Sequence, residues 1–226
     1  MKPEQVKEAL GNLPRMKLSQ AKTLTRHLTT HNLRDCLELG FSRGVSSCYI
    51  AAALQELGGG SLVTIDLVSA KEKRPNIDEN LAKLGLSHLV TVYYEPTSYT
   101  WRLMRMLQED PNPRFDFCYI DGAHSWAVDG FAFFLVDRLL RPGGWILFDD
   151  MNWSFGKSET MRSTELVRAM PTDERDLQQV RLIWDLLVKP HPSFGEFREE
   201  NGWAFARKLP SQAAAATVRR RWFGRA

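Results

Sequence analysis

Five short apolar runs alternate along the chain with helical stripes, and this alternation constrains the fold more than any other feature. The runs are Asp35 to Leu39, Ser61 to Ile65, Leu89 to Tyr94, Phe115 to Ile120 and Trp145 to Phe148. They are apolar at most positions, not merely every second one, as strands are when both sheet faces are covered. Between them fall helical stretches at about Ser46 to Leu57, Ile77 to Leu84 and Trp101 to Gln108, then the stripe Val128, Phe131, Leu135, Leu139. Gly58-Gly59-Gly60, Gly85, Pro111-Asn112-Pro113 and Arg141-Pro142-Gly143-Gly144 punctuate them. A further helix, Lys17 to His31, precedes the first strand. This order predicts an α/β fold, a doubly wound and mostly parallel sheet with helices on both faces.

The C-terminal third follows a different pattern. Leu177 to Val188 has a helical stripe, and Ser193 to Arg198 and Trp203 to Arg207 flank an Asn201-Gly202 turn. That pair reads as a C-terminal antiparallel hairpin on the sheet edge, giving a seven-stranded, Rossmann-like sheet. The polar stretch 151–172 reads as a loop over the strand ends. With 226 residues there is enough chain for one such domain. The expected division is a helical cap segment over 1–34, the α/β domain over 35–209 and a basic tail over 210–226.

A net charge of +3 does not call for a nucleic-acid partner. Arg219, Arg220, Arg221 and Arg225 crowd the tail after an alanine run, which reads as a solvated segment. Cys36, Cys48 and Cys118 are odd in number and form no CxxC pair, so buried thiols in a reducing compartment are expected. No leader-like apolar core opens the chain and no run approaches the ~20 residues of a membrane span. A cytoplasmic protein without a membrane partner is expected. The N-terminal helices and the edge hairpin offer surfaces on which two copies could pair as a homodimer.

Chemistry in such a sheet belongs beyond the carboxyl ends of the strands. Read in turn, those ends are Glu38-Leu39-Gly40, Asp66, Glu95 to Ser98, Asp121 and Asp149-Asp150. Folding alone gives no reason to place so many carboxylates where each is partly desolvated. A ligand with hydroxyls, cationic charge or a metal would explain them. Gly40 and Gly44, in the turn Glu38-Leu39-Gly40-Phe41-Ser42-Arg43-Gly44-Val45-Ser46, allow a close backbone approach. The spacing is not GxGxxG, which argues against a nucleotide-dependent oxidoreductase. Asp66 is placed to grip two ribose hydroxyls, or else to serve as a turn or helix cap.

The turn ELGFSRGVS resembles the cofactor loop of class I S-adenosylmethionine-dependent methyltransferases. The segment FDFCYIDGAHSWAVDG…LLRPGGWILFDDMNW resembles their fourth and fifth strands with the intervening helix. More narrowly the chain resembles the macrocin and mycinamicin O-methyltransferase branch and, further off, catechol O-methyltransferase, over about residues 16–208. The resemblance implies an S-adenosylmethionine-binding methyltransferase domain over 35–209 and a small-molecule acceptor. It implies cofactor contacts at Glu38, Gly40, Ser42, Gly44 and Ser46, ribose binding at Asp66, and Thr97 and Ser98 near the adenine. Asp121 would face the sulfonium. The segment Met16 to Ala21 is similar to the loop that closes over the methionine part in catechol-type enzymes.

Asp121, Asp149 and Asp150 end adjacent strands, and three like charges at one spot invite a cation. Mg²⁺, which prefers an octahedron of oxygens, or Mn²⁺ suits such a set. The macrocin-like pattern implies the same three ligands, although both strand-five positions are Asp here. Turn and helix capping is the alternative for Asp149 and Asp150. His124, three residues after Asp121, is a candidate general base, and the resemblance implies that role. Capping a helix or packing on Trp126 is its alternative. Trp153 and Phe155 would wall the acceptor site or cover the core edge. The competing functions are methylation of an amine, nucleic acid or protein, and cofactor binding without transfer. Asp-Gly-Ala-His after the fourth strand is unlike the Asn/Asp-Pro-Pro-aromatic run of many amino-group enzymes.

Overall fold

The computed structural model describes residues 1–14 and 16–210. The chain opens with two helices, α1 (Pro3–Leu10) and α2 (Leu18–Thr30). The alternating region follows as β1 (Asp35–Leu39), α3 (Val45–Glu56), β2 (Ser61–Leu67), α4 (Ile77–Leu84), β3 (Val90–Glu95) and α5 (Tyr99–Glu109). It continues through β4 (Phe115–Ile120), α6 (Trp126–Leu139) and β5 (Leu140–Phe148). Three short helices come next, α7 (Glu165–Ala169), α8 (Thr172–Asp176) and α9 (Gln179–Ile183), before β6 (Phe194–Glu200) and β7 (Trp203–Lys208). The basic tail expected over 210–226 lies, from 211 onward, outside the described residues.

All seven strands form one sheet in the order β3-β2-β1-β4-β5-β7-β6. The first five pair in parallel, while β7 runs antiparallel to both β5 and β6. The expected doubly wound sheet with an antiparallel C-terminal hairpin is therefore what the chain forms. Asn201 and Gly202 have φ of 53° and 82°, the pair of left-handed residues that a two-residue hairpin turn requires. Strand order reverses between β1 and β4, and the crevice at that switch point is where a ligand fits.

Two cores cover the two faces of the sheet. On one face α1 to α4 bury Leu24, Leu28, Tyr49, Ile50 and Leu54 against Phe117, Tyr119 and Leu147. On the other, α5, α6 and α9 bury Leu103, Phe133, Val136 and Trp184 against Leu37, Cys118 and Phe148. Helix α3 is buried along nearly its whole length, from Val45 to Leu54, because α1, α2 and α4 cover its outer side. All three cysteines are free and buried, as expected. Among the described residues no helix is long and apolar enough to cross a membrane.

Two element boundaries differ from the sequence reading. Strand β5 begins at Leu140, which pairs with Phe115 before the register shifts and Trp145 pairs with Phe117. Pro142 has no N–H for the ladder, so Arg141-Pro142-Gly143-Gly144 interrupts the strand instead of preceding it. The expected helix over Leu177 to Val188 is a single turn, α9, which widens into a π-turn over Trp184–Val188. The stretch 151–172 is a loop, as expected, apart from a 3-10 turn at Phe155–Lys157 and the short α7.

Candidate functional site

A cavity of ≈ 540 Å³ opens above the carboxyl ends of the central strands. Gly40, Ser42 and Asp66 line it, together with Thr97 and Ser98. Asp121, His124, Asp149 and Asp150 line it as well. Gln20, from the start of α2, and Lys73, after β2, also reach it. The 151–172 loop adds Trp153, Phe155, Ser158, Thr160 and Met161.

Gly40 makes the crevice possible. Its φ is +88°, and a Cβ there would overlap the carbonyl of Asp121 and lie 2.5 Å from the Gly122 Cα. The turns after β1 and β4 thus touch backbone to backbone, as they must where both ends face one ligand. The room at Gly44 has another origin, because the Ile77 side chain fills it. Asp66 accepts the Phe41 and Ser42 N–H groups on Oδ2, at 3.0 and 2.6 Å, and the Leu67 N–H on Oδ1 at 2.6 Å. It therefore fixes the shape of the β1 turn as well as lining the cavity. Lys73 Nζ donates to Ser42 Oγ at 2.7 Å across the same edge.

Glu38 and Ser46 are not brought to the cavity surface. Glu38 is fully buried under the turn, where Oε2 accepts from Thr64 Oγ1 at 2.6 Å and from Ser47 Oγ. Burial pushes its carboxyl up, and the surrounding hydroxyls pull it part of the way back. Ser46 is buried on the first turn of α3. Ser98 caps α5, its Oγ accepting the Thr100 N–H at 3.1 Å while it lines the cavity.

In the acidic cluster, one donor atom each from Asp121, His124 and Asp150 lie within 4.8 Å of one another. His124 Nε2 is 3.5 Å from Asp150 Oδ2. Asp149 lines the cavity beside them and accepts a hydrogen bond from the Tyr119 hydroxyl. Burial pushes the Asp121 carboxyl well above the ordinary carboxylate range, and the charges of Asp149 and Asp150 push it further. His124 and Asp150 have φ of 53° and 57°, and Ser42 has 53°. Such left-handed backbone costs about 1 kcal/mol or more at a non-glycine residue, and here three instances gather in one cavity.

Trp153 sits between its neighbours, tilted 4.9 Å from His124 and edge-on 4.7 Å from Phe155 by ring centroid. Both aromatic residues line the cavity, and Phe155 is 5% exposed. The sequence reading missed Lys73, Tyr99, Tyr119 and Asp129. Tyr119 sits within an apolar run and looks like core, while Tyr99 follows the polar turn Pro96-Thr97-Ser98. Only Asp129 carried a signal, a carboxylate on the buried stripe of a helix.

The fold has clear relatives among solved structures. An O-methyltransferase from Bacillus cereus in complex with S-adenosylhomocysteine aligns with TM-score 0.65 at 22% identity, covering 92% of this chain and 90% of that one. The O-methyltransferase TomG from Streptomyces achromogenes, in complex with S-adenosylmethionine, aligns with TM-score 0.63 at 20% identity, covering 92% and 88%. The S-adenosylhomocysteine-bound methyltransferase PaMTH1 from Podospora anserina aligns with TM-score 0.62 at 15% identity, covering 92% and 87%. No curated protein matches the chain in sequence. The family model for a methyltransferase domain matches residues 37–151, from β1 through β5 and the acidic pair, and the chain belongs to that methyltransferase family.

Proposed function

We propose that this protein is an S-adenosylmethionine-dependent O-methyltransferase that acts on a hydroxyl of a small molecule with the help of a divalent cation. The observation that carries the reading is the meeting of Asp121, His124 and Asp150 in a cavity that Gly40, Asp66 and Ser98 also line. A histidine and paired carboxylates thus share one cavity with Asp66.

The residues fit both groups. Asp66 would hold the ribose, Thr97 and Ser98 would lie near the adenine, and Gly40 and Ser42 would border the methionine part. For the cation, Asp121 and Asp150 present hard oxygen donors, the type Mg²⁺ and Mn²⁺ prefer. The mutual repulsion of Asp121, Asp149 and Asp150 is what a positive charge among them would relieve. Asp149 stands behind as the third carboxylate, held by Tyr119. When bound, S-adenosylmethionine supplies an electrophilic methyl group, and the cation lowers the pKa of a bound hydroxyl.

The chain's own residues do the rest. His124 takes the acceptor's proton on a ring nitrogen, with Asp150 beside Nε2 to stabilise the imidazolium that results. Trp153 and Phe155 form an apolar wall that orients the acceptor and keeps water from the reacting oxygen. The aromatic wall and small cavity favour a small acceptor such as a sugar, a natural product or a phenol over a polymer. Incubation with methyl-labelled S-adenosylmethionine and a panel of diols and phenols, with and without EDTA, tests the reading. Label in a methyl ether, lost with EDTA and with His124→Ala, is the expected result. Label on amines alone, or no label with any acceptor, would overturn it.

A further inference from the structure

A buried pair of polar side chains lies beneath the turn that carries Asp121 and His124, and the chemistry above does not use it. Tyr99 opens α5 and is 5% exposed, and Asp129 lies near the start of α6 at 1%. The Tyr99 hydroxyl donates to Asp129 Oδ1 and accepts the Ala123 N–H at 3.2 Å. The Tyr99 ring occupies the space that a side chain on Gly122 would need, since a Cβ there would lie 2.5 Å from Cε1. Burial pushes the Asp129 carboxyl up to about 7, and the nearby Ala123, His124 and Ser125 amides oppose that shift.

Ordinary helix capping does not account for Asp129. Ser125 already caps α6, with Oγ accepting the Val128 N–H at 3.3 Å and its carbonyl accepting the Asp129 N–H at 2.9 Å. A buried carboxylate is costly unless its surroundings require it. What surrounds this one is the backbone of the turn, including His124 at its left-handed φ of 53°. Two helices from different parts of the chain thus hold the turn from below.

We infer that Tyr99 and Asp129 are positioning residues, which together fix the 122–125 turn so that His124 meets Asp121 and Asp150 in the cavity. This rests on the role proposed above for His124. Neither residue moves a proton to or from the acceptor.

The test compares Tyr99→Phe, Asp129→Ala and Asp129→Asn with the wild type. Tyr99→Phe keeps the ring beneath Gly122 and removes only the hydroxyl, so it is the variant least exposed to misfolding. Asp129→Asn keeps an acceptor oxygen for the turn amides. In Tyr99→Phe and Asp129→Ala, kcat is expected to fall ~10-fold or more, with acceptor KM and S-adenosylhomocysteine affinity within ~2-fold, as for a misplaced reacting group. Asp129→Asn should recover most of that loss, which a role in folding alone would not predict. An unchanged kcat in Tyr99→Phe, or losses that track only the unfolding midpoint, would overturn the inference.

Hydrogen exchange of the Ala123, His124 and Ser125 amides separates this idea from the reading of the reaction. Exchange at these amides should accelerate ~10-fold or more in Tyr99→Phe and Asp129→Ala, even if the wild type methylates no acceptor tried. Unchanged exchange would overturn the positioning role even in an active enzyme. Accelerated exchange in an enzyme without transferase activity would instead count against the proposed reaction.

Discussion

The Tyr119 hydroxyl donates a hydrogen bond to Asp149 Oδ2 and lies 3.3 Å from Asp121 Oδ2. One phenol on β4 thereby touches the carboxylates that end two adjacent strands. Burial, and then the charges of Asp121 and Asp149, push its pKa well above the usual range, so it remains a donor.

Removing that hydroxyl leaves Asp149 Oδ2 without its donor, while Oδ1 keeps the Asp150 N–H at 2.6 Å. Tyr119→Phe should therefore cost about 1–3 kcal/mol, the usual penalty for orphaning a buried polar partner. Thermal unfolding of the two proteins without added metal measures it, and a lowered midpoint is expected. An unchanged midpoint would show that Asp149 finds water or another donor at no cost.

Gly40 and Gly58 make a controlled pair. Their φ values are +88° and +81°, so alanine is strained at either. At Gly58 nothing lies within 4 Å of the added Cβ, and the cost should be only about 1 kcal/mol. At Gly40 the Cβ strikes the Asp121 carbonyl and Gly122, so the β1 and β4 turns must separate. Gly40→Ala should abolish S-adenosylhomocysteine binding in calorimetry while Gly58→Ala leaves it intact. Equal affinities in the two variants would contradict the backbone contact.

His27 sets an acid limit on stability. It is buried on α2 against Trp145, with the rings 4.8 Å apart and edge-on, and burial lowers its pKa to about 3. Between pH 3 and its unfolded value of 6.5 the unfolded chain binds the extra proton, so stability falls as pH drops through this window. Denaturant unfolding at pH 4 to 6 should show the wild type losing ~1.4 kcal/mol per pH unit more than His27→Gln. Parallel pH profiles for the two proteins would mean that His27 gains a proton without unfolding.

The sheet was legible because strands covered on both faces have to be apolar at nearly every position, and Leu37, Ile65, Phe117 and Ile146 show it. The acids at the strand ends were legible for the complementary reason, since Asp66, Asp121 and Asp150 stand where folding does not want charge. Side-chain direction was not. Glu38 follows an inward-facing Leu37 and looks like a ligand contact, yet it turns beneath the sheet end to Ser47 and Thr64. Gly44 also looks like room for a ligand, but Ile77, 33 residues later, fills that room. The pairing of Tyr99 with Asp129 leaves no local signature, because the two residues lie 30 positions apart on different helices.

The most direct test of the acidic cluster is Mn²⁺ binding followed by electron paramagnetic resonance on protein saturated with S-adenosylhomocysteine. The wild type should bind one ion, and Asp121→Asn and Asp150→Asn should each weaken it ~10-fold or more, as expected when a hard cation loses a carboxylate ligand. An ion that persists at full affinity in both variants, or no ion in the wild type, would contradict the cation site and leave the activation of the acceptor to His124 without a metal.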